Sequence, residues 1–217
     1  MSAQNSDNAT AATPANESGS DQRELPAEHA LLGLLALAGG TAHGYDLARQ
    51  FRRDQPLGEV IRLEPAMLYK HLKKLARLGW LTMTTEDQAP RPPRQICHLT
   101  GSGDAELRRW LGEPVARTRE IRLEFLVKLY FAMHLAPDLA LRLVGEQHVV
   151  MLQLANSLAE QRAALQAPAG VAPGDDLFFQ DLVLDLRLRQ TRAAAEWLEE
   201  TLSTLKTGQD VATRVAT

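Results

Sequence analysis

Cationic side chains gather on one face of a helix predicted between residues 65 and 78. At about 100° of rotation per residue, Leu68, Leu72 and Leu75 form an apolar stripe that would face a core. The opposite arc, about 100° wide, carries four cations: Lys70, Lys73, Lys74 and Arg77. Such an arc can bind the phosphates of a nucleic acid. An ordinary solvated helix face is the alternative interpretation.

The elements around this helix predict a three-helix unit followed by a hairpin. A first helix begins at Pro26 and ends before Gly39-Gly40. A second, short helix is predicted from about His43 to Arg53, and the basic helix runs from Glu64-Pro65 to Gly79. Residues 80–84 and 95–99 are predicted strands, after which Thr100 and Ser102 offer capping hydroxyls for a fourth helix.

This order of elements is typical of a winged helix-turn-helix, in which the second helix of the motif enters the major groove of DNA. The hairpin would then be the wing. Its predicted long loop, Glu86 to Arg94, carries Arg91 and Arg94 among three prolines. Two guanidinium groups on a stiffened loop suit a contact with the DNA backbone or the minor groove. A surface loop whose prolines only suppress aggregation is the alternative.

Three sequence elements resemble the PadR-like family of transcriptional regulators. They are His43-Gly44-Tyr45 in the second helix, Leu68-Tyr69 with Leu72, Leu75 and Gly79 in the third, and Leu99-Thr100 with Gly103 after the second strand. Their order and spacing resemble the family pattern over residues 28–112, and the following helical region is similar to the larger C-terminal region of one branch. Three positions differ from the pattern: Ala66-Met67, Lys70 and Cys97.

The resemblance implies a homodimeric regulator whose paired wings and recognition helices bind a near-palindromic DNA operator. Tyr45 and Tyr69 are candidate phenolic donors to phosphate, with half-buried core positions as the alternative. The candidate cationic phosphate partners are Lys73, Lys74, Arg77, Arg91 and Arg94. The candidates for contact with bases are Met67, Lys70 and His71.

The C-terminal half is predicted to be helical, with helices at Arg119–Leu135, Asp138–Leu165 and Asp176–Leu205 and a loop at Ala167–Asp176. Apolar residues alternate spacings of four and three along the last helix, as in a heptad seam. The seam consists of Leu184, Leu188, Thr191, Ala195, Leu198, Leu202 and Leu205. We expect it to pair two subunits, and a buried last helix in a monomeric bundle is the alternative. A second apolar stripe lies beside it, at Leu182, Val183, Leu186, Ala193, Ala194 and Trp197.

Five aromatic residues are candidates for an effector pocket between the two regions, because ligand pockets favour domain interfaces. They are Trp110, Phe125, Tyr130, Phe131 and Trp197. The resemblance permits an aromatic or phenolic effector. A simple hydrophobic core is the alternative interpretation of the same residues.

Composition excludes several classes of protein. The chain has 217 residues, of which 45% are hydrophobic and 24% charged, so neither whole-chain disorder nor a fibre is expected. The net charge of -3 gives no overall case for nucleic-acid binding, but residues 25–113 carry twelve basic and ten acidic side chains. No uncharged apolar run reaches the roughly 18 residues of a membrane span. The single cysteine, Cys97, fits a reducing compartment and is expected to be buried, with a redox switch as the alternative.

We therefore expect a mainly α, cytoplasmic protein with no membrane contact and four segments. These are a disordered tail at 1–24, a winged helix-turn-helix DNA-binding domain at 25–113, a helical dimerisation domain at 114–207 and a flexible tail at 208–217. The winged domain should hold three helices and a two-stranded wing.

No catalytic, metal or cofactor motif is found: the sequence has no nucleophile elbow, no phosphate-binding glycine loop and no histidine pair at ligand spacing. We expect a repressor that occludes its operator and is released by a small effector. A helical dimeric adaptor that binds a protein partner instead of DNA is the alternative.

Overall fold

The computed structural model describes residues 26–88, 91–165 and 176–215, with side chains at 26–86, 94–165 and 176–208. The predicted tail at 1–24 and the predicted loop at 167–175 lie outside the described residues. The N-terminal unit contains α1 (Ala27–Leu37), β1 (Thr41–His43), α2 (Gly44–Arg49), α3 (Pro56–Val60), α4 (Pro65–Arg77), β2 (Leu81–Gln88), β3 (Arg91–Leu99) and α5 (Gly101–Leu111). The C-terminal unit contains α6 (Thr118–Glu120), a π-helical turn (Ile121–Phe125), α7 (Leu126–Leu135), α8 (Pro137–Ala164) and α9 (Asp176–Val215).

The core of the N-terminal unit forms where α1, α4 and α5 meet. Three leucines of α1 and the leucine stripe of α4 are fully buried: Leu31, Leu32 and Leu35, with Leu68, Leu72 and Leu75. Leu107 and Trp110 of α5 join the same cluster. Helix α7 also contributes, because Val127 and Phe131 pack into this core. The hydrophobic effect on this apolar surface therefore holds both units together.

The predicted second helix is wrong in its extent. Helix α2 ends at Arg49, and a separate helix, α3, begins at Pro56. Phe51, which the helical spacing assigned to the second helix, is buried but lies in the turn between α2 and α3. Pro56 fixes its own φ and suits the first turn of a new helix. The motif therefore has one more short helix than predicted.

The predicted two-stranded wing is a three-stranded antiparallel sheet in the order β1-β3-β2. Strand β1 was missed because three residues are too few to show a period of two. Thr41 lies opposite His98, and His98 is hydrogen-bonded to the hydroxyls of both Thr41 (3.2 Å) and Thr84 (3.0 Å). The predicted long loop at 86–94 is also wrong, since β2 continues to Gln88 and β3 begins at Arg91.

The start of α5 is fixed by the cap that the sequence predicts. The Thr100 hydroxyl accepts a hydrogen bond from the Gly103 N–H at 3.1 Å and donates one to the Gly79 carbonyl at 2.7 Å. Gly103 lies against the backbone of Trp80, where a Cβ would come within 2.0 Å of the carbonyl oxygen. Glycine is therefore required at position 103, which is part of the family-like element formed by Leu99, Thr100 and Gly103.

Helices α8 and α9 form a long antiparallel pair within one chain. Leu188, Ala195 and Leu198 are buried against α8 and the π-helical turn, and Thr191 is buried beside Thr118 of α6. The remaining seam residues are partly buried: Leu184, Leu202 and Leu205. Arg162 of α8 adds ion pairs with Asp181 (2.7 Å) and Asp185 of α9.

The assignment of the seam to a subunit interface is therefore corrected: these residues pack against their own chain. The heptad spacing identified a helix-packing face, but spacing alone does not distinguish α8 of the same chain from a helix of a second chain. Helix α9 also extends to Val215, beyond the predicted end at Leu205. Within the described parts of the chain, no helix is both long and apolar enough to cross a membrane.

Candidate nucleic-acid interface

Helix α4 has one buried face and one exposed, cationic face. Its three core leucines fix the rotation of the helix, so the opposite residues face outward. Apart from Pro65 and Ala66 at its start, the exposed residues of α4 are Met67, Tyr69, Lys70, Lys73 and Arg77. Three of the four cations of the predicted basic arc, Lys70, Lys73 and Arg77, therefore lie on the surface.

Tyr45 and Tyr69 lie beside this face, where α2 meets α4. The Tyr45 side chain is 70% exposed, which excludes the core position that was the alternative. The ring of Tyr69 packs against Gly44, where a Cβ would lie 3.2 Å from its hydroxyl and ring atoms. The absence of a side chain at Gly44 allows this close approach, and Tyr69 remains 37% exposed beside Tyr45.

His71 and Lys74 are placed differently from the other polar residues of α4. Both point toward α1, where His71 Nδ1 lies 3.1 Å and Lys74 Nζ 3.0 Å from the same Glu28 oxygen, Oε1. The Glu28 side chain is 7% exposed. The structure therefore divides the predicted contact residues into an outward set and an inward pair.

The wing carries Arg94 on its surface, opposite Glu86 in the adjacent strand. The backbone of Arg91 lies in β3 opposite Gln88, and its side chain lies outside the described residues. Both arginines belong to strand β3 rather than to a loop. The wing thus places Arg94 on a paired β-ladder, which is stiffer than the predicted loop.

Three further arginines line a surface cleft with a volume of about 650 Å³, next to the start of α4. They are Arg52, Arg53 and Arg62, all of them exposed, and none of them is among the contact residues predicted from the sequence. The Arg52-Arg53 pair and Arg62 flank α3, which was itself missed. Recognition of Pro56 as a helix start would have drawn attention to them.

A second cleft, of about 400 Å³, lies between α1, α5 and the segment that leads into α6. His29 and Trp110 stack in its wall with ring centres 4.5 Å apart, and His29 Nε2 donates to Glu106 Oε1 at 3.0 Å. Burial lowers the pKa of His29, and this effect is larger than the opposing one of Glu106. Hydrogen bonding from Arg109 lowers the pKa of Glu106 to about 2, so the carboxylate accepts and neutral His29 donates.

Lys128 forms the floor of this cleft and is 2% exposed. Its ammonium donates to the Glu113 carbonyl at 2.5 Å, lies 3.3 Å from Glu124 and sits 4.9 Å from the centre of the Trp110 ring. Burial lowers the pKa of Lys128, against the opposing effect of Glu124. Lys128 could not be recognised from the sequence, because a single lysine within an apolar helix has no distinguishing pattern.

The five aromatic residues predicted to form one pocket do not lie together. Trp110 lines the cleft, whereas Phe125 packs edge-on against Trp197 and Phe131 packs against Tyr130. Phe125 and Phe131 are fully buried in two different clusters. The core alternative is therefore correct for Phe125 and Phe131. Tyr130 is partly buried against the same core as Phe131, whereas Trp197 remains exposed.

Other candidate chemistry is not supported by geometry. Cys97 is fully buried, and burial raises the pKa of its thiol to about 11, which keeps it protonated and unreactive near neutral pH. Among the described residues, no three side chains of His, Cys, Asp or Glu converge as metal ligands would.

A basic helix in a helix-turn-helix, a β-sheet wing and a long helical C-terminal unit define the winged helix-turn-helix class of regulators. Comparison with known families agrees with this class. Residues 31–109 match the model of the "Transcriptional regulator PadR-like family", and residues 121–206 match the model "Virulence activator alpha C-term". The chain belongs to the PadR-like family of transcriptional regulators, which is not a family of enzymes.

Individual relatives agree with the family models. The chain is 29% identical over 182 residues to the "Negative transcriptional regulator PadR" of Bacillus subtilis, covering 81% of this chain and 95% of the relative. A crystal structure of Bacillus subtilis PadR with operator DNA is 29% identical, covering 82% and 96% of the two chains, with a TM-score of 0.39. A crystal structure of the same protein with p-coumaric acid is 28% identical, covering 82% and 94%, with a TM-score of 0.35. The family assignment rests on the sequence matches.

Proposed function

We propose that this regulator is a homodimeric repressor that binds operator DNA through α4 and the wing. The observation that carries the proposal is the outward face of α4, with Tyr69, Lys70, Lys73 and Arg77 exposed opposite three buried leucines. A helix that is buried on one face and exposes cations on the other suits insertion into the major groove of DNA. The name of the Bacillus subtilis relative, a negative regulator, favours repression.

The proposed role of each residue follows from its distance from the N-terminal end of α4. Met67 and Lys70 lie toward the N-terminal end of α4, which usually reads base edges in a helix-turn-helix. Lys73, Arg77 and Arg94 would neutralise phosphates, and the hydroxyls of Tyr45 and Tyr69 would donate to phosphate oxygens. Arg91 is included from its position in the wing. Such contacts fix the register of the protein on DNA without reading its sequence.

The proposed dimer uses the second apolar stripe of α9, because the seam is occupied by α8. Leu182, Val183, Leu186 and Trp197 are all exposed, with Leu186 at 57%, and Phe179 extends the same stripe. A contiguous apolar stripe of this kind favours a self-complementary partner. A second copy of the chain supplies the two-fold symmetry that a near-palindromic operator requires.

Sedimentation of Leu186→Glu tests this dimer face. A charge at the centre of the stripe should give a folded monomer, because two buried carboxylates would face each other across the symmetry axis. Leu78→Glu, which changes another exposed leucine, in the N-terminal unit, is the matched control and should remain dimeric. A dimeric Leu186→Glu variant would show that the interface lies elsewhere.

The proposed effector site is the cleft lined by His29, Trp110 and Lys128. It lies between the DNA-binding unit and the helices of the C-terminal unit, so an occupant contacts both. A ligand that binds one arrangement of these units better than the other shifts the population toward it and can release DNA. An aromatic small molecule is the proposed class, and occlusion of the promoter by the bound dimer is the proposed mode of repression.

DNA binding is tested with a duplex that the protein selects from a random library, beside a random duplex, across about 50 to 200 mM salt. Wild type should prefer the selected duplex and lose roughly 10³-fold in affinity over this range if it makes several phosphate contacts. Lys73→Ala with Arg77→Ala should weaken both complexes. If wild type selects no sequence and the variant binds as wild type does, DNA is not its partner.

The effector proposal is tested by titrating p-coumaric acid, the compound bound to Bacillus subtilis PadR, into the complex with selected DNA. Ala116→Phe narrows the cleft and should reduce any release, while Ala136→Phe, in a separate groove, should not. Equal release from both variants would place the effector outside this cleft.

A further inference from the structure

The two adjacent lysines of α4, Lys73 and Lys74, lie in different environments although both belong to the same basic arc. Lys73 is exposed, whereas Lys74 is half-buried and its ammonium lies 3.0 Å from Glu28 Oε1. His71, one helical turn before Lys74, meets the same oxygen at 3.1 Å. Residues three positions apart lie on the same side of a helix, so the Glu28 carboxylate can contact both His71 and Lys74.

Glu28 is suited to this role because it is almost fully buried. A buried carboxylate needs hydrogen-bonding partners, since an unpaired charge in a low-dielectric environment is costly. Two residues of α4 supply those partners, and they fix the helix at a second edge, distinct from its leucine stripe. The leucine stripe determines which face of α4 points inward, and the directional contacts with Glu28 add a second constraint on the rotation and register of the helix.

We propose that Glu28, His71 and Lys74 form a clamp that positions α4 for sequence-specific DNA binding, and that Lys74 acts through this clamp rather than on phosphate. The proposal rests on the proposed DNA-binding function and identifies which residues determine its specificity. Lys73 contacts the DNA backbone, and Lys74, one position later, aligns the helix. A small rotation of α4 misplaces base contacts while the exposed cations still reach phosphates.

The experiment compares Lys74→Met with Lys73→Met, two neighbouring substitutions that remove the same charge from side chains of similar length. Lys74→Met should lower the ratio of affinities for selected and random DNA about tenfold, as a lost base contact does. Its salt slope should match wild type. Lys73→Met should weaken both duplexes alike and reduce the slope by about 0.9 for each phosphate contact removed.

Two further variants test the clamp itself. Glu28→Gln keeps the shape but loses the charge, and it should reproduce the loss of specificity seen with Lys74→Met. Lys74→Arg keeps an ion pair with Glu28 and should restore the wild-type ratio. A variant that lost structure generally would weaken random DNA as well, so a fall in the ratio alone reports positioning.

The rate of amide hydrogen exchange in the DNA-free protein tests the clamp without any operator DNA. Amides of residues 65–77 should exchange faster in Lys74→Met and Glu28→Gln than in wild type, and at the wild-type rate in Lys73→Met. Equal exchange in all four proteins, or a reduced salt slope in Lys74→Met, would overturn the clamp. Absence of any selected sequence for wild type would instead refute the proposed DNA-binding function.

Discussion

The side-chain amide of Gln147, on α8, holds the backbone of Val115 by both of its groups. Its nitrogen donates to the Val115 carbonyl at 2.9 Å, and its oxygen accepts from the Val115 N–H at 2.7 Å. Gln147 is completely buried. The segment between α5 and α6 has no helical hydrogen bonds of its own at this point, so a side chain supplies what secondary structure does not. This contact fixes the connection between the two units.

Gln147→Leu should therefore lower the free energy of unfolding by about 2–4 kcal/mol, because a buried N–H and a buried carbonyl lose their partners together. Urea denaturation followed by circular dichroism measures the change. Gln153→Leu, at an exposed position of the same helix, is the control and should change stability by less than about 0.5 kcal/mol. Equal stability of the two variants would contradict the role given to Gln147.

Two glycines at the start of α5 should respond in opposite ways to alanine. Gly103→Ala places a methyl group 2.0 Å from the Trp80 carbonyl oxygen and should cost at least about 2 kcal/mol of stability. Gly101→Ala meets nothing within 4 Å and should be neutral or stabilising by roughly 0.5 kcal/mol, since alanine favours the helix. Thermal melting of both variants distinguishes them. A stable Gly103→Ala variant would mean that the backbone of Trp80 can move away.

Much of the N-terminal unit could be predicted because its signals are local. The leucine period of α4 fixed both its core face and its exposed cations, and the Thr100 cap lies where the sequence indicated. Strand β1 and helix α3 were missed because three and five residues are too short to show a period. Their existence depends on long-range contacts, such as the pairing of Thr41 with His98.

The division of the polar residues of α4 could not be predicted from a helical wheel. The wheel placed Lys73 and Lys74 on the same arc, and the distinction between them comes from Glu28, which is 46 residues away from Lys74 in the sequence. The same limit applies to α9, where the wheel found two apolar stripes but not which of them α8 covers. Sequence period identifies faces, whereas partners follow from tertiary packing.

Acid should weaken the protein through His29. Burial lowers the pKa of His29 below its ordinary value of 6.5, so the unfolded chain binds a proton more readily than the folded one. The stability that this group contributes is present above about pH 6.5 and is lost as pH falls toward the folded-state pKa. Glu106 acts in a separate pH range, because its pKa is lowered from 4.5 to about 2. The stability that Glu106 contributes is therefore lost only as the pH falls below about 4.5.

Melting temperatures of wild type and His29→Phe between about pH 7 and pH 5 measure this contribution. Phenylalanine keeps the stack on Trp110 but cannot be protonated, so the variant should lose less stability than wild type across this range. Parallel curves for the two proteins would show that His29 is protonated as easily in the folded state as in the unfolded chain.

Glu28 belongs both to the wall of the cleft and to the clamp on α4, so it should carry the response of DNA binding to a cleft ligand. Coupling between the proposed effector site and the proposed DNA site is reciprocal: any factor by which p-coumaric acid weakens DNA binding must equal the factor by which DNA weakens binding of the acid. In wild type this factor should fall in the usual range of about 5 to 150.

Glu28→Gln should bring this coupling factor close to one, whether it is measured as the effect of the acid on DNA binding or as the effect of DNA on binding of the acid. Lys73→Met should lower DNA affinity and leave the factor unchanged. If the factor survives in Glu28→Gln, the cleft communicates with α4 through α5 or α7 instead, since both pack against α1.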